Sequence, residues 1–366
     1  MRFGASRASG LSPFLLEGQR LPWVQEYKYL GVVIDPSLCL RGHVKHLRER
    51  AHARFWQVCG WARREGLPLA IARKLVDAYV IPGCLFGAEL LCPNSRRMGE
   101  LLRLQREIGR YLLASAHAPN VVVQGDLAWS SWDFLAIERA ANLVSRLTSA
   151  SDMRLAVRVF HYARTIPSSW CGAICTQLQS LGVSLPWCSS VNVGCPIAVR
   201  RAYLRCSVRP VLAAADTVRW RQNLNNMRDS ALQRYGRCMG HPVVSAAHSW
   251  RVNPAHALAW GRVRSGSSVL GADRISRHAC GSSQCALCGH HLGDLAHFLM
   301  HCPNVATARN SWWGMVGFAF GGQPLEHIDT EAVLAFFCFS SHREVAWAAA
   351  NARFAHAIEC AHSQRM

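Results

Sequence analysis

Residues 285–303 read CALCGHHLGDLAHFLMHCP. Cys285 and Cys288 form a C-x2-C pair, His297 follows after eight residues, and Cys302 after four more. A C-x2-C knuckle turns two sulfurs toward one side of an ion, and His297 and Cys302, about one helical turn apart, close the other side. Four nitrogen and sulfur ligands in two short-spaced pairs suit tetrahedral zinc, and a site whose corners are all filled by protein is structural. The expected ligands are Cys285, Cys288, His297 and Cys302. Cys280, His290, His291 and His301 crowd the same segment, and spacing leaves each open as a replacement for one of the four. His297 and His301 are also four apart, as in zinc hydrolases, but that motif needs a Glu after the first His as general base. Phe298 stands there, which argues against a catalytic zinc.

Upstream of the knuckle the chain is strongly basic. The net charge is +19, and residues 154–277 carry 17 arginines against three aspartates, whereas residues 278–366 carry four basic and six acidic residues. A field this positive favours a polyanion, and nucleic acid is the usual one. Lys28, Lys45 and Lys74 are the only lysines. A GC-rich genome accounts for arginine in place of lysine, but not for so few acids. Arginine also suits phosphate, because its planar fork binds two oxygens at once.

The 366 residues suffice for two or three domains with a real core, and 50% hydrophobic against 17% charged content fits neither a disordered nor a fibrous chain. The longest apolar run, around Val80 to Leu91, is broken by Pro82 and Glu89 and is too short to cross a bilayer. The N-terminus lacks the apolar segment of a signal peptide. The 16 cysteines therefore read as reduced thiols and metal ligands. The expected compartment is nuclear or cytoplasmic, not secreted, with no membrane partner.

Apolar periodicity predicts a mainly α fold with a short N-terminal antiparallel β segment. FLLEGQRLPWV reads as a hairpin turning at Gly18-Gln19, and YKYLGVVID as a strand ending at Asp35-Pro36. Val44, Leu47, Ala51, Phe55, Val58 and Ala62 share a helical face. Further helices run from Pro68 to about Val80, through Leu101, Leu104, Ile108 and Leu112, and through Phe134, Ile137, Ala141 and Val144. Residues 165–196, rich in Pro, Gly, Ser and Cys, read as irregular; helices follow near 197–208 and 211–235, and in the Ala-rich tail 331–359. Trp220, Trp250 and Trp260 read as core rather than base-stacking residues. Asp126, Asp133 and Glu138 read as capping and solvated charge. The expected segments are a β segment 1–36, a helical domain 37–150, a basic helical connector 151–265, the zinc knuckle 266–304 and a helical tail 305–366.

The order of these pieces resembles the C-terminal part of a non-LTR (LINE-type) retrotransposon reverse transcriptase. MRFGAS resembles the strand closing the palm. EYKYLGVVIDPSLCLRGHV resembles the segment leaving palm for thumb, with Tyr29, Leu30, Gly31, Asp35 and His43 on the family's pattern. KLVDAYVIPGCLFGAELL resembles the thumb helix ending in Val-x-Pro, although Phe86-Gly87-Ala88-Glu89 replaces the family's Tyr-Gly-x-Glu. LLRLQREIGRYLL, QGDLAWSSW and WGRVRSGSSVL with the knuckle resemble the elements that follow. The likeness extends to Pro303 and is weak between 151 and 250. It implies an end-of-palm, thumb, connector and zinc knuckle from an RNA-directed DNA polymerase, gripping RNA and DNA. The polymerase aspartates are missing, because the sequence holds no Asp-Asp pair and no Asp-x-Asp. Two-metal phosphoryl transfer needs such carboxylates, and neither fingers nor an endonuclease is recognisable.

The expectation is therefore nucleic-acid binding without polymerisation, with RNA, DNA and the missing polymerase part as partners. The thumb candidates for phosphate contact are Arg48, Arg50, Arg54, Arg63 and Arg64. The connector candidates are Arg200, Arg201, Arg205, Arg219, Arg221, Arg262 and Arg264. The alternative is an independent zinc-stabilised structural or protein-interaction module.

Overall fold

The structure, a computed structural model, describes residues 14–92, 95–148, 150, 154–185, 196–227, 230–243, 252–268, 270, 282–339 and 345–364. It is mainly helical. Two small antiparallel hairpins come first: β1 (Leu15–Leu16) pairs with β2 (Gln19–Arg20), and β3 (Tyr27–Tyr29) with β4 (Val32–Ile34). YKYLGVVID is thus two strands, not one. Leu30 and Gly31 both adopt positive φ, 46° and 88°, the turn whose twist matches that of flanking antiparallel strands. A side chain at position 31 would also meet Phe86 Cε1 at 2.8 Å.

The first long helix, α1 (Arg41–Arg64), buries Val44, Leu47, Ala51, Phe55 and Ala62. In chain order there follow α2 (Leu69–Leu75), α3 (Ile81–Cys84), α4 (Arg96–Leu112), α5 (Asn120–Asp126), α6 (Trp132–Thr148), α7 (Leu155–Ala163) and α8 (Trp170–Ser180). Then come α9 (Ile197–Tyr203), α10 (Arg209–Asn225), α11 (Ser230–Cys238), α12 (Pro254–Arg264), α13 (Leu295–Met300), α14 (Ala306–Val316), α15 (Thr330–Phe339) and α16 (Val345–Ser363). A widened π turn at Val76–Val80 joins α2 to α3. Pro82 explains it, since proline has no N–H and its ring crowds the carbonyl four residues back. The irregular reading of 165–196 is corrected by α8, which Ser169 caps by accepting from Gly172 N at 3.0 Å and which buries Ile174 and Leu178. The expected helix 211–235 is interrupted instead of continuous, with α10 and α11 as separate pieces.

The chain divides into two compact units, each assembled from three separate stretches. The first comprises Met1–Trp56, Ala78–Gln105 and Trp132–Ala213; the second comprises Gln57–Asp77, Arg106–Ser131 and Ala214–Met366. In the first, α6 packs against α7 and α8. His43 is wholly buried there: its Nε2 donates to Phe86 O at 2.9 Å and its Nδ1 accepts from Val33 N at 3.4 Å. A Cβ on Gly87 would lie 2.7 Å from that Nε2. Gly31, His43, Phe86 and Gly87 thus hold one another in place.

The second unit packs α12 and α14 against α16, and α13 and α11 against α15. Trp220, Trp260 and Trp312 are fully buried, and each indole N–H is satisfied: by Val121 O at 2.7 Å, Phe337 O at 2.9 Å and Asn351 Oδ1 at 2.7 Å. Trp220 and Trp260 are core as expected; Trp250 lies outside the described residues. Asp126 corrects its reading as capping or solvated charge. It is buried at the end of α5, accepts from Tyr235 Oη at 2.8 Å, and is paired with the Arg264 guanidinium. That guanidinium lies 4.7 Å from the Trp260 ring centroid and 5.5 Å from that of Tyr235.

Two stability predictions follow from these buried groups. Arg264→Ala leaves a buried carboxylate unpaired and should lower unfolding free energy by about 3–5 kcal/mol in urea titration, whereas exposed Arg48→Ala should change it by under about 0.5 kcal/mol. Burial pushes the His43 imidazole below its ordinary range, despite the opposing Phe86 carbonyl. The unfolded chain then binds that proton more readily, so the His43 contribution is present above about pH 6.5 and is lost as pH falls further. The thermal midpoint should decline between about pH 7 and about pH 5, and His43→Gln should flatten that decline.

Candidate metal centre

The knuckle is set by its backbone. Gly289 N donates to Cys285 O, and Cys285 N to His290 O, both at 2.8 Å, with Gly289 at φ 76°. Gly293 closes the loop through its N–H to Ser283 O at 2.6 Å, and a Cβ there would meet Cys285 Cα at 2.7 Å. The other ligand pair rides on α13, whose N-cap Asp294 accepts from His297 N at 2.8 Å. After the last turn Cys302 N donates to His297 O at 2.8 Å. Asn304 Nδ2 donates to Leu287 O, and Arg309 Nη1 to Cys302 O at 2.7 Å, tying both halves together.

These constraints bring Cys285, Cys288, His297 and Cys302 together, with all four ligand atoms within 4.8 Å of one another. Cys285 Sγ and Cys302 Sγ are 3.9 Å apart, and Cys288 Sγ is 3.2 Å from His297 Nε2. Tetrahedral bonds of about 2.3 Å to sulfur and about 2.0 Å to nitrogen place S···S edges at about 3.8 Å and S···N edges at about 3.5 Å. The four residues can therefore hold a metal ion. His290, His291 and His301 are exposed and outside the cluster, and Cys280 lies outside the described residues. His290 instead stacks on His297, at 4.5 Å and 9° between planes. The His297 Nδ1 is buried without a hydrogen-bond partner among the described residues, so that ring is oriented by stacking and by the Phe298 edge at 5.3 Å.

The four groups differ in their electrostatics. Burial pushes the Cys302 thiol up to about 12, and the neighbouring Cys285 and Cys288 sulfurs add like-charge repulsion. Burial also raises Cys288, but the His290 backbone N–H and the Cys285 and Cys302 thiols outweigh it and bring it below the ordinary thiol value. Burial lowers His297, and neighbouring His290 acts in the same direction, which favours the neutral, ligating form. A metal ion bound here would displace the Cys302 proton and relieve the repulsion between the sulfurs.

The proposed nucleic-acid residues are distributed unevenly. Arg48, Arg50 and Arg64 on α1 are exposed, as are Arg201, Arg205 and Arg221. Arg54 is half-buried, with its guanidinium against Gly83, and Arg200 is also half-buried. Arg219 pairs with Asp216 at 3.5 Å, and Arg221 donates to Gly240 O. The Arg63 side chain lies outside the described residues. One assignment is corrected, that of Arg264. Arg264 is completely buried in its pair with Asp126 and presents nothing to a phosphate. Arg262 is held by Glu359, through Nε to Oε1 at 2.9 Å and Nη2 to Oε2 at 2.5 Å, and reaches Ala114 O at 3.3 Å. Both lie on α12, whose packing the sequence pattern did not resolve.

Gly293, Asp294, Asn304 and Arg309 support the centre without having been expected. Asp294 had a legible signal, a capping residue directly before the apolar run LAHFLM. No protein family matches the chain, and no curated protein or solved structure shows significant similarity to it. Among the described residues no helix is long and apolar enough to cross a membrane.

Removing the metal with a chelator, or Cys285→Ser, should abolish hydrogen-exchange protection across 284–302 and weaken α15 and α16, which share its core, while α6 keeps its protection. Structural zinc contributes on the order of 10 kcal/mol in small domains, so an unchanged exchange profile would remove the centre from the stability of this protein.

Proposed function

We propose that this chain is a zinc-stabilised nucleic-acid-binding module of the kind found at the C-terminal end of non-LTR retrotransposon reverse transcriptases, with no polymerase activity of its own. The observation that carries the reading is the charge. A net +19 chain exposes Arg48 and Arg50 on one helix of the first unit and Arg201 and Arg205 in another part of it. Exposed arginine is suited to phosphate, and binding through several phosphates releases counterions. Zinc is the ion we assign, because three sulfurs and one imidazole on tetrahedral edges suit its borderline-soft character and leave no open position. The partners in this reading are RNA and DNA.

A protein-interaction module is the second reading, and a specific observation favours it. The two N-terminal hairpins leave Phe14, Leu15, Leu16, Tyr27, Tyr29 and Leu30 exposed. An apolar surface of this kind is suited to a protein partner, such as the polymerase part that the resemblance implies.

Titration of labelled RNA and single-stranded DNA at several salt concentrations separates the two. Nucleic-acid binding should weaken steeply between about 50 mM and about 200 mM salt. Combined Arg48→Ala, Arg50→Ala, Arg201→Ala and Arg205→Ala should reduce affinity for all sequences and flatten the salt slope by about one per lost phosphate contact. No binding even at about 50 mM salt would favour the interaction module. Primer extension with magnesium should give no product, and any product would overturn the non-enzymatic assignment.

A further inference from the structure

We propose that His256, His356 and Cys360 form a second metal site, for a borderline-soft divalent cation of the zinc class, separate from the four-ligand centre. His356 and Cys360 lie four residues apart on α16, so both project from one face. His356 Nε2 is 3.4 Å from Cys360 Sγ, close to the S···N edge of about 3.5 Å that a tetrahedral ion requires. The third group comes from another helix. His256, in the first turn of α12, places its ring centroid 4.6 Å from that of His356, with 36° between planes, where α12 packs against α16.

The three groups differ from the knuckle in access. His256 and His356 are half-buried and Cys360 is exposed, so an ion can reach them and water can take the fourth position. The His256 imidazole must turn toward the pair, since the four knuckle residues are the described group whose ligand atoms already lie within 4.8 Å of one another. The nearby Arg353 guanidinium opposes a cation. Neighbouring Glu359 offers little compensation, because Arg262 engages it. The site is therefore weaker than the knuckle. On binding, the Cys360 thiol releases its proton to solvent and its sulfur donates an electron pair to the ion; each imidazole donates a ring-nitrogen pair without losing a proton.

Cobalt(II) titration of the chelator-stripped full chain, followed by its thiolate and d–d absorption, tests the site. The wild type should take up two ions, the second more weakly. Cys360→Ser, at an exposed position, should remove the second event and keep the first with an unchanged circular dichroism spectrum. Cys285→Ser should disrupt the first while a weak thiolate–cobalt band persists. His256→Ala should weaken the second event at least about tenfold. Uptake of a single ion by the wild type, or a second event unchanged by Cys360→Ser or by His256→Ala, would overturn the proposal and leave the pair as a thiol–imidazole hydrogen bond.

Discussion

Arg264 brings a permanent charge into the interior of the second unit, with its side chain fully out of solvent. Desolvating a guanidinium is unfavourable by several kcal/mol unless a carboxylate and further polar contacts meet it. Asp126 at the end of α5 supplies the carboxylate, Tyr235 on α11 donates to the same oxygen, and the rings of Tyr235 and Trp260 flank the cation. Three helices distant in sequence must therefore arrive in one register, because a slip of any of them leaves a buried charge unmatched. The constraint extends through α12: Trp260 is tied to Phe337 O, and Arg262 to Glu359 on α16. Losing one partner of a buried pair costs more than the intact pair contributes to stability.

The candidate metal centre is built into the same interior. Cys285 and Cys302 are buried in one hydrophobic cluster with Phe298, Leu299, Trp312, Phe337 and Phe354. The Trp312 and Phe354 rings stack at 5.3 Å, and Phe337 meets Phe354 edge-on at 6.2 Å. A knuckle of this size cannot bury enough apolar surface by itself. Here α14, α15 and α16 complete its core, so the ligand geometry rests on residues well outside the motif. Knuckle and tail residues thus share one hydrophobic cluster.

The distribution of arginine follows from the same physics. Where a partner carboxylate is available, as for Arg219, Arg262 and Arg264, the guanidinium is committed within the protein. On α1 the apolar residues occupy one face and leave Arg48 and Arg50 on the solvent side. A count of arginines alone overstates the surface open to a phosphate, because some of them are paired with carboxylates inside the protein.

Elements with regular apolar spacing were legible in the sequence. The buried face of α1, the Leu101–Leu112 face of α4 and the Phe134–Val144 face of α6 each follow from a period near 3.6. The ligand set was legible too, since C-x2-C and His-x4-Cys are local spacings that a single loop and helix impose. What only tertiary structure decided were the non-local pairings. Phe86 against Gly31, Asp126 with Arg264, and His256 beside His356 bring together residues from 55 to 138 positions apart. No periodicity encodes such partners; the packing of whole helices selects them, because a buried charge or a close backbone approach tolerates one arrangement and penalises the rest.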